Sequence, residues 1–438
     1  MANQSACRSL YFLYFYASIK LQHMQARQFF YVSAILLITS PFGCSNKNAG
    51  TSEGTQNNND TTKLPPVETK QANTTYKPAF AGQTRIAGAK TTTAYKVEKL
   101  AEKIDRPWAI IPLPDGRLLT THKTGFMQLF DANGVSIKKI TGLPAVDASG
   151  QGGLLDVALD PDFTANKMIY WSFSEKYDGG NLMSVAKGTL NEASGTVDNA
   201  VVIFRATPAL KNTSYHYGSR LIFDKDGNLF ASTGERSVME GRVQAQSLSS
   251  GLGKIFKITK DGKPAPGNPF INQAGAMPEI YSYGNRNVQS LDIHPVTGEL
   301  WAAEFGPRGG DELNIIKAGK NYGWPTITYG IEYGGAKIGD AIQQKEGMEQ
   351  PVYYWDPVLS PGGMSFYKGN AIPEWENNLF IGGLSSAHIV RLIIVNNKVV
   401  GEERLLADKG ERFRDVAYYN GMLYAVTDGG SMYRISKQ

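Results

Sequence analysis

The sequence predicts an all-β protein, a six-bladed β-propeller of four-stranded antiparallel blades. Three observations predict it. A hairpin pattern of two apolar-rich runs recurs six times between Arg106 and Asp428. The turns between the runs carry Asp-Gly, Asn-Gly or Thr-Gly. Successive copies are about 45 to 75 residues apart, which leaves room for two more strands in each. A β-sandwich, or a pair of sandwiches, is the competing architecture.

The repeated hairpins follow one another along the chain. Their first runs begin at Trp108, Leu154, Ser219, Gln289, Met364 and Asp415. Residues 254–259 and 388–394 are examples of the further strands of a blade. We expect 431–435 to pair near 93–97 and close the ring, because closure protects the terminal sheet edges.

The N-terminal region predicts export. Residues 1–44 are typical of a signal, with Arg27 before the apolar run 29–42 and a lipoprotein-like cleavage site at Gly43-Cys44. Met24 is an alternative start. We therefore expect a periplasmic or cell-envelope protein that is lipid-anchored through Cys44, and a simple soluble export signal is the alternative.

Composition divides the rest of the chain. Residues 45–91 are rich in Asn, Thr, Gly, Gln and Lys and predict a flexible polar linker, which leaves 92–438 for the propeller. The formal net charge of +5 comes without a Lys/Arg-rich stripe, so no nucleic-acid partner is expected. Both cysteines, Cys7 and Cys44, precede the propeller, which therefore contains no disulfide.

The repeat also predicts where the chemistry lies. In a propeller, the residues before each innermost strand and those after each second strand meet at one mouth of the central channel. The first set is Gln151, His216, Arg286, Asn287, Arg412 and Arg414. The second set is Glu235, Glu304–Pro307, Ser385 and Asp428.

Two features of the mouth suggest catalysis and anion binding. His216 precedes an inner strand, and an imidazole with an ordinary pKa can accept a proton at neutral pH. Its alternative is a plain hydrogen-bonding role. Arg412 and Arg414 alternate, so both point the same way and favour a bound anion together with Arg286. Salt bridges to Glu411 or Asp415 are the alternative.

A Gly-rich loop at the mouth is a candidate cation site. Residues 304–314 carry the carboxylates of Glu304, Asp311 and Glu312 together with exposed carbonyls. Oxygen ligands of this kind suit calcium. Gly/Asp loops are also common turns, so composition alone leaves both interpretations open.

Four motifs carry a resemblance to a known family. They are 151–163 (QGGLLDVALDPDF), 283–289 (YGNRNVQ), 304–314 (EFGPRGGDELN) and 320–325 (KNYGWP). Together they resemble the soluble PQQ-dependent aldose sugar dehydrogenases of the glucose/sorbosone dehydrogenase family, over a region from about Val97 to the C-terminus. That family folds as a six-bladed propeller, in agreement with the repeat.

The resemblance implies residue roles. His216 matches the general base, and the residues around PQQ match Gln151, Arg286, Asn287, Arg412 and Arg414. Gly306 and Pro307 match carbonyl ligands of the catalytic calcium. Glu312 and Tyr322 match a further calcium site, and Trp355 resembles an aromatic residue that lines the sugar pocket.

The implied reaction oxidises an aldose at C1 to a lactone. His216 takes the hydroxyl proton, hydride passes to PQQ, and an external electron acceptor reoxidises the quinol. One departure is Ser385, which stands where the family commonly has a lysine that contacts PQQ. A non-catalytic propeller that binds carbohydrate or a partner, and a calcium-dependent hydrolase of the lactonase type, remain the alternatives.

Overall fold

The computed structural model describes residues 64–438. They contain six four-stranded antiparallel sheets. Five are assembled from four strands that follow one another in the sequence, and the sixth combines the first strand with the last three. The predicted six-bladed β-propeller is confirmed, and the sandwich alternatives are wrong. The signal at 1–44, Cys44 and the linker residues 45–63 lie outside the described residues.

The first strand in the chain is β1 (Tyr95–Ala101), which belongs to the sixth blade. The first blade consists of β2 (Pro107–Pro112), β3 (Leu118–His122), β4 (Phe126–Phe130) and β5 (Ser136–Ile140). The second consists of β6 (Leu154–Leu159), β7 (Met168–Tyr177), β8 (Gly180–Asn191) and β9 (Thr196–Arg205). The third consists of β10 (Leu221–Phe223), β11 (Leu229–Ser232), β12 (Lys254–Ile258) and β13 (Ile280–Tyr283).

The second half repeats this order. The fourth blade consists of β14 (Val288–Ile293), β15 (Leu300–Glu304), β16 (Asp311–Ile316) and β17 (Tyr353–Trp355). The fifth consists of β18 (Pro361–Phe366), β19 (Leu379–Gly383), β20 (Ile389–Val395) and β21 (Lys398–Leu405). The sixth contains β22 (Phe413–Tyr419), β23 (Met422–Thr427) and β24 (Met432–Lys437).

The ring closes as the sequence predicts. Strand β1 is the outermost strand of the sixth blade and pairs antiparallel with β24, with Val97 opposite Ile435. The first and last strands of the propeller therefore share one sheet. This pairing leaves neither strand as a free terminal edge.

Helices are few and short. They are α1 (Phe163–Asn166), α2 (Met239–Arg242) and the 3-10 turns Val243–Gln246, Pro373–Trp375 and Ala407–Lys409. Within residues 64–438, none of the helices is long and apolar enough to cross a bilayer.

Side chains, rather than backbone ladders, connect neighbouring blades near the channel. Three buried aspartates on the innermost strands of alternate blades each accept a backbone N–H of the following blade. The pairs are Asp156 with Leu221 (2.7 Å), Asp292 with Phe366 (2.7 Å) and Asp415 with Ile110 (2.9 Å). These bonds satisfy polar groups where adjacent sheets face one another, so they help to set the spacing of the inner strands.

The core lies between the blades. Apolar side chains from the faces of adjacent sheets interdigitate, and the largest, Trp171, Trp301 and Trp375, are fully buried. Burial of such side chains is the main favourable contribution to folding. The mouth residues therefore stand at the ends of well-packed sheets or on the connections between them.

An N-terminal strap, defined as residues 64–93, packs on the outside of the fourth and fifth blades. The buried Gln83 accepts the backbone N–H of Tyr354 on its carbonyl (2.9 Å) and donates from Nε2 to the Pro351 carbonyl (2.9 Å). Ala89 donates to the Glu402 carbonyl (2.8 Å). Over 64–91 the structure thus shows ordered chain where composition predicts a flexible linker. Amide and backbone hydrogen bonds to the blade edges, which composition does not reveal, compensate for the ordering entropy.

Candidate functional site

His216 is held in an uncommon backbone conformation at the entrance to the third blade. Its φ is +49°, and its backbone N–H donates to Oε1 of Gln151 (2.9 Å). Gly234 packs against this turn, because a Cβ there would lie 2.3 Å from the His216 carbonyl oxygen. A lead-in residue of the second blade therefore fixes the backbone of the third, as the convergence of the repeats predicts.

The imidazole of His216 is buried and paired. Its Nδ1 lies 2.6 Å from Oε1 of Glu235, which also accepts the backbone N–H of Ser237 (3.1 Å). Burial, followed by the charge of the Arg286 guanidinium, lowers the pKa of His216 to about 4. The ring is therefore neutral at pH 7, with Nδ1–H donating to Glu235 and Nε2 left as the basic nitrogen. The expected ordinary pKa is wrong, because the sequence does not show how deeply the ring is buried.

Arg286 and Asn287 lie beside this histidine. Arg286 donates from Nη1 to the carbonyls of Phe305 (3.0 Å) and Gly306 (2.6 Å). Asn287 accepts the backbone N–H of Gly218 on Oδ1 (2.9 Å). The buried Nε of Arg286 and Nδ2 of Asn287 have no hydrogen-bond partner within 64–438. Buried donors in this state are the atoms most in need of a ligand.

Arg412 and Arg414 converge, as their alternation predicts, on one carboxylate of the chain itself. Asp428 accepts from Nε of Arg412 (2.9 Å) and from Nε and Nη2 of Arg414 (2.7 and 3.1 Å). Of the carboxylates proposed as alternatives, Glu411 bonds instead to nearby hydroxyl groups and Asp415 pairs elsewhere. Arg412 and Arg414 therefore do form salt bridges, but with Asp428.

The cationic side chains of this part of the mouth outnumber the carboxylates that pair with them. Arg106, Lys123, Arg412 and Arg414 line a cavity of about 280 Å³, in which Asp428 is the acidic lining residue. Outside the lining, Arg106 pairs with Asp105 (3.0 Å), so two carboxylates face four cations. Burial and the neighbouring guanidiniums lower the pKa of Lys123, whose Nζ donates to the Gly150 carbonyl. The surplus of positive charge favours an anionic ligand.

The sequence analysis missed Arg106 and Lys123. Arg106 directly precedes β2, which is the lead-in position of the first blade, and Lys123 directly follows β3. In the first repeat these two residues occupy the positions, before the first strand and after the second, that predict mouth residues in the other repeats. The repeat pattern therefore contained the signal for both. Lys123 occupies in the first blade a place similar to that of Ser385 in the fifth.

A second cavity, of about 420 Å³, continues from the first. The two share Gln151, Phe305, Leu384 and Arg412, and the second is also lined by His216, Gly306, Pro307 and Ser385. Ser385 accepts a hydrogen bond from the Ser360 hydroxyl (2.8 Å). The predicted base, two predicted calcium ligands and three predicted PQQ residues, Gln151, Arg412 and Arg414, thus border one continuous mouth. Arg286 borders a small third cavity instead, and Asn287 lines none of the three cavities.

Two glutamates form a separate acidic pair behind the Gly306 turn. Glu304 and Glu312 lie opposite each other on β15 and β16, and with Tyr322 they border a small cavity. Burial raises the pKa of both carboxyls, and the charge of Glu304 raises that of Glu312 well above its usual value. A cation would relieve this repulsion. Across the described residues, no cluster of three or more Asp, Glu, His or Cys residues has metal-binding geometry.

The Gly306 turn is held by the third carboxylate of the loop. Asp311 accepts the backbone N–H groups of Gly306 (2.8 Å), Leu359 (2.8 Å) and Ser360 (2.7 Å), and burial raises its pKa to about 6. Asp311 therefore positions carbonyls rather than lining the acidic pair. The hydroxyl of Tyr322 donates to the Ile315 carbonyl (2.7 Å), which leaves the backbone of Tyr322 as its possible ligand group.

Trp355 does not line the mouth. It is 6% exposed and packs in a blade core against Tyr353, with ring centroids 5.1 Å apart. The aromatic residues that line the two cavities are Trp108, Tyr217, Phe305 and Tyr333. The structure therefore places Trp355 in a blade core and outside both mouth cavities, unlike the position that the resemblance implies.

Comparison with known proteins identifies the family. Residues 104–434 match the family model described as Glucose / Sorbosone dehydrogenase. The chain belongs to this family. Aldose sugar dehydrogenase YliI of Escherichia coli (strain K12) is 42% identical over 339 residues, which are 76% of this chain and 90% of that protein.

Solved structures support the same assignment. The soluble aldose sugar dehydrogenase of Escherichia coli in its apo form matches with a TM-score of 0.75 at 40% identity, over 79% of this chain and 100% of that chain. The PQQ-bound aldose sugar dehydrogenase of Streptomyces coelicolor matches with a TM-score of 0.65 at 29% identity, over 79% of this chain and 99% of that chain. The family resemblance inferred from the motifs is confirmed, and the chain is an oxidoreductase of the sugar dehydrogenase type.

Proposed function

We propose that the chain oxidises aldose sugars at C1 to lactones, with PQQ as the hydride acceptor, calcium as a Lewis acid and His216 as the general base. The observation that carries the proposal is a buried, neutral histidine bordering a mouth with surplus positive charge. Relatives named as aldose sugar dehydrogenases, one of them in a PQQ-bound form, support the same reaction.

The cationic part of the mouth fits PQQ, a flat quinone with three carboxylates. Asp428 occupies Nε of Arg412 and both Nε and Nη2 of Arg414, which leaves Nη1 and Nη2 of Arg412 and Nη1 of Arg414 to meet a carboxylate. Arg106 and Lys123 add charge on the same cavity. Arg286, whose buried Nε has no partner among the described residues, borders the small cavity behind the Gly306 turn rather than this one. The residues present therefore fit the cofactor despite Ser385.

Two places fit calcium. Gly306 and Pro307 border the cavity of His216, so a cation held by their carbonyls would stand beside the base. The Gly306 carbonyl accepts from Nη1 of Arg286 (2.6 Å), and the cation would have to replace or share that hydrogen bond. Glu312 and the carbonyl of Tyr322, with Glu304 adjacent, fit the further calcium, because two buried carboxylates of raised pKa favour a cation between them.

The mechanism assigned to the chain itself is one proton transfer. PQQ, when bound, supplies the hydride acceptor, and calcium polarises it. Nε2 of His216 accepts the proton of the C1 hydroxyl as the C1–H hydride leaves and the lactone carbonyl forms. Glu235, bonded to Nδ1–H, keeps the tautomer and stabilises the charged ring.

A titration tests the proposal. The apoprotein is titrated with PQQ in calcium and in EDTA, by absorbance, and then assayed for dye reduction with a panel of aldoses. Calcium-dependent, saturable binding with aldose-dependent dye reduction is expected. Bound PQQ without turnover of any aldose would contradict sugar oxidation and favour a carbohydrate-binding role.

We also propose that the chain is exported and lipid-anchored through Cys44, on the pattern of residues 1–44. The test is fractionation of cells that express the wild-type chain or Cys44→Ser. The wild type is expected in the membrane fraction and the variant in the soluble one. Recovery of both in the soluble fraction would contradict the anchor.

A further inference from the structure

The N-terminal strap brings a polar residue to the mouth from outside the family match. The match covers 104–434, whereas the strap comprises 64–93. Asn73 of the strap borders the same 420 Å³ cavity as His216. An element that precedes the propeller in sequence therefore contributes to the wall of its proposed active site.

The strap is fixed at this point by the buried carboxylate of Asp356. Its Oδ1 accepts the backbone N–H of Asn73 (2.8 Å), and its Oδ2 accepts the N–H (3.2 Å) and the hydroxyl (3.1 Å) of Thr74. Nδ2 of Asn73 donates to the Pro357 carbonyl (3.0 Å). Four hydrogen bonds thus hold Asn73 and Thr74 against the loop after β17.

Asn73 in turn holds Arg308. Its Oδ1 accepts from Nε of Arg308 (3.1 Å), while the backbone of Arg308 pairs in both directions with that of Ile331 (2.9 and 3.1 Å). Because Gly309 has no side chain, the Asp356 carboxylate can lie close to the backbone that follows Arg308. A Cβ at Gly309 would lie 2.8 Å from Oδ1 of Asp356. Among the described residues, Nη1 and Nη2 of Arg308 carry no hydrogen bond, so a donor pair remains for a ligand in the cavity.

We infer that Asn73 and Arg308 form a subsite for sugar hydroxyls remote from C1. The inference rests on the proposed function: if C1 lies against Nε2 of His216, the rest of the sugar must extend toward other walls of that cavity. Arg308 binds the hydroxyls, and Asn73 is the positioning residue that orients its guanidinium. The strap thereby contributes to the choice among aldoses.

The test compares four variants in the full, PQQ-loaded protein. They are Asn73→Ala, Asn73→Asp, Arg308→Gln and, as a strap control away from the mouth, Thr92→Ala, whose wild-type hydroxyl bonds to Glu374. For each, the PQQ Kd is measured by absorbance, and KM and kcat are measured with glucose, galactose and xylose.

Asn73→Ala and Arg308→Gln are each expected to raise KM about tenfold, with the ratio of kcat/KM among the three sugars changed and kcat and the PQQ Kd within about twofold of wild type. Asn73→Asp keeps the acceptor for Arg308 but loses the donor to the Pro357 carbonyl, so its KM is expected to rise less than that of Asn73→Ala. The KM of Thr92→Ala stays within about twofold of wild type.

Unchanged KM in both Asn73→Ala and Arg308→Gln overturns the subsite while leaving the proposed function intact. A rise of the PQQ Kd in parallel with KM also overturns it, because the residues then act through the cofactor. A wild-type chain that binds no PQQ refutes the proposed function first, and the subsite falls with it.

Discussion

On one side of the mouth, His216 is buried and its partners all come from the chain: Gln151 on its backbone and Glu235 on Nδ1. On the other side, Arg412 and Arg414 are partly solvent-exposed and share Asp428, beside two further cations. The first region has its charge balance built in, whereas the second carries more positive charge than the chain neutralises. The difference separates a preorganised catalytic group from a region that a ligand must complete.

The largest effect is expected when the base, His216, is removed. We expect His216→Ala to lower kcat by about 10³-fold, because the proton then has no positioned acceptor, while the PQQ Kd stays within about twofold. Stopped-flow reduction of bound PQQ by glucose gives the rate. A kcat within tenfold of wild type would remove His216 from the mechanism.

Removing a cation should have the opposite signature. We expect Arg414→Ala to weaken PQQ binding about 30-fold, since a bidentate partner of a carboxylate is lost, with less effect on kcat at saturating PQQ. Arg434→Ala, which removes an arginine paired with Glu98 outside the two mouth cavities, is the matched control. Equal Kd values for the two variants would contradict the anion site.

Variants of Lys123 also test whether the positive charge of the mouth binds PQQ. We expect Lys123→Met to weaken PQQ binding about fivefold and Lys123→Arg to leave it near the wild-type value, because the charge is kept. Ser385→Lys, added to Lys123→Met, should recover part of the loss, because Ser385 borders the adjoining cavity of the same mouth. Absorbance titration at low and high salt measures all three, and a Kd that Lys123→Met leaves unchanged would show that the charge surplus is not used.

The smallest expected effect is in the pH profile. A base must be unprotonated, and the pKa of His216 is lowered to about 4, so activity should persist through pH 6.5 and fall only as the pH decreases through about 4. Initial rates across pH 3.5–8, restricted to the range in which circular dichroism shows a folded protein, measure it. An acidic limb centred near 6.5 would contradict the buried His216 ring as the base, because the titrating group would then have an ordinary imidazole pKa.

The fold and the position of the mouth followed from sequence because the hairpin repeat fixes both the blade register and the ends of the strands. The ring closure through 93–97 and 431–435 followed for the same reason. The electrostatic detail of the mouth could not be predicted from the sequence. The depth of His216, the role of Asp428 and the burial of Trp355 depend on which side chains meet across blades, and the ordered strap depends on amide contacts that polar composition conceals.

Calorimetric titration of the wild-type apoprotein with PQQ in calcium tests the central claim most directly. The account predicts one PQQ bound per chain, with an affinity that falls as salt is raised, because carboxylates meet uncompensated cations. Absence of saturable binding with calcium present would contradict it.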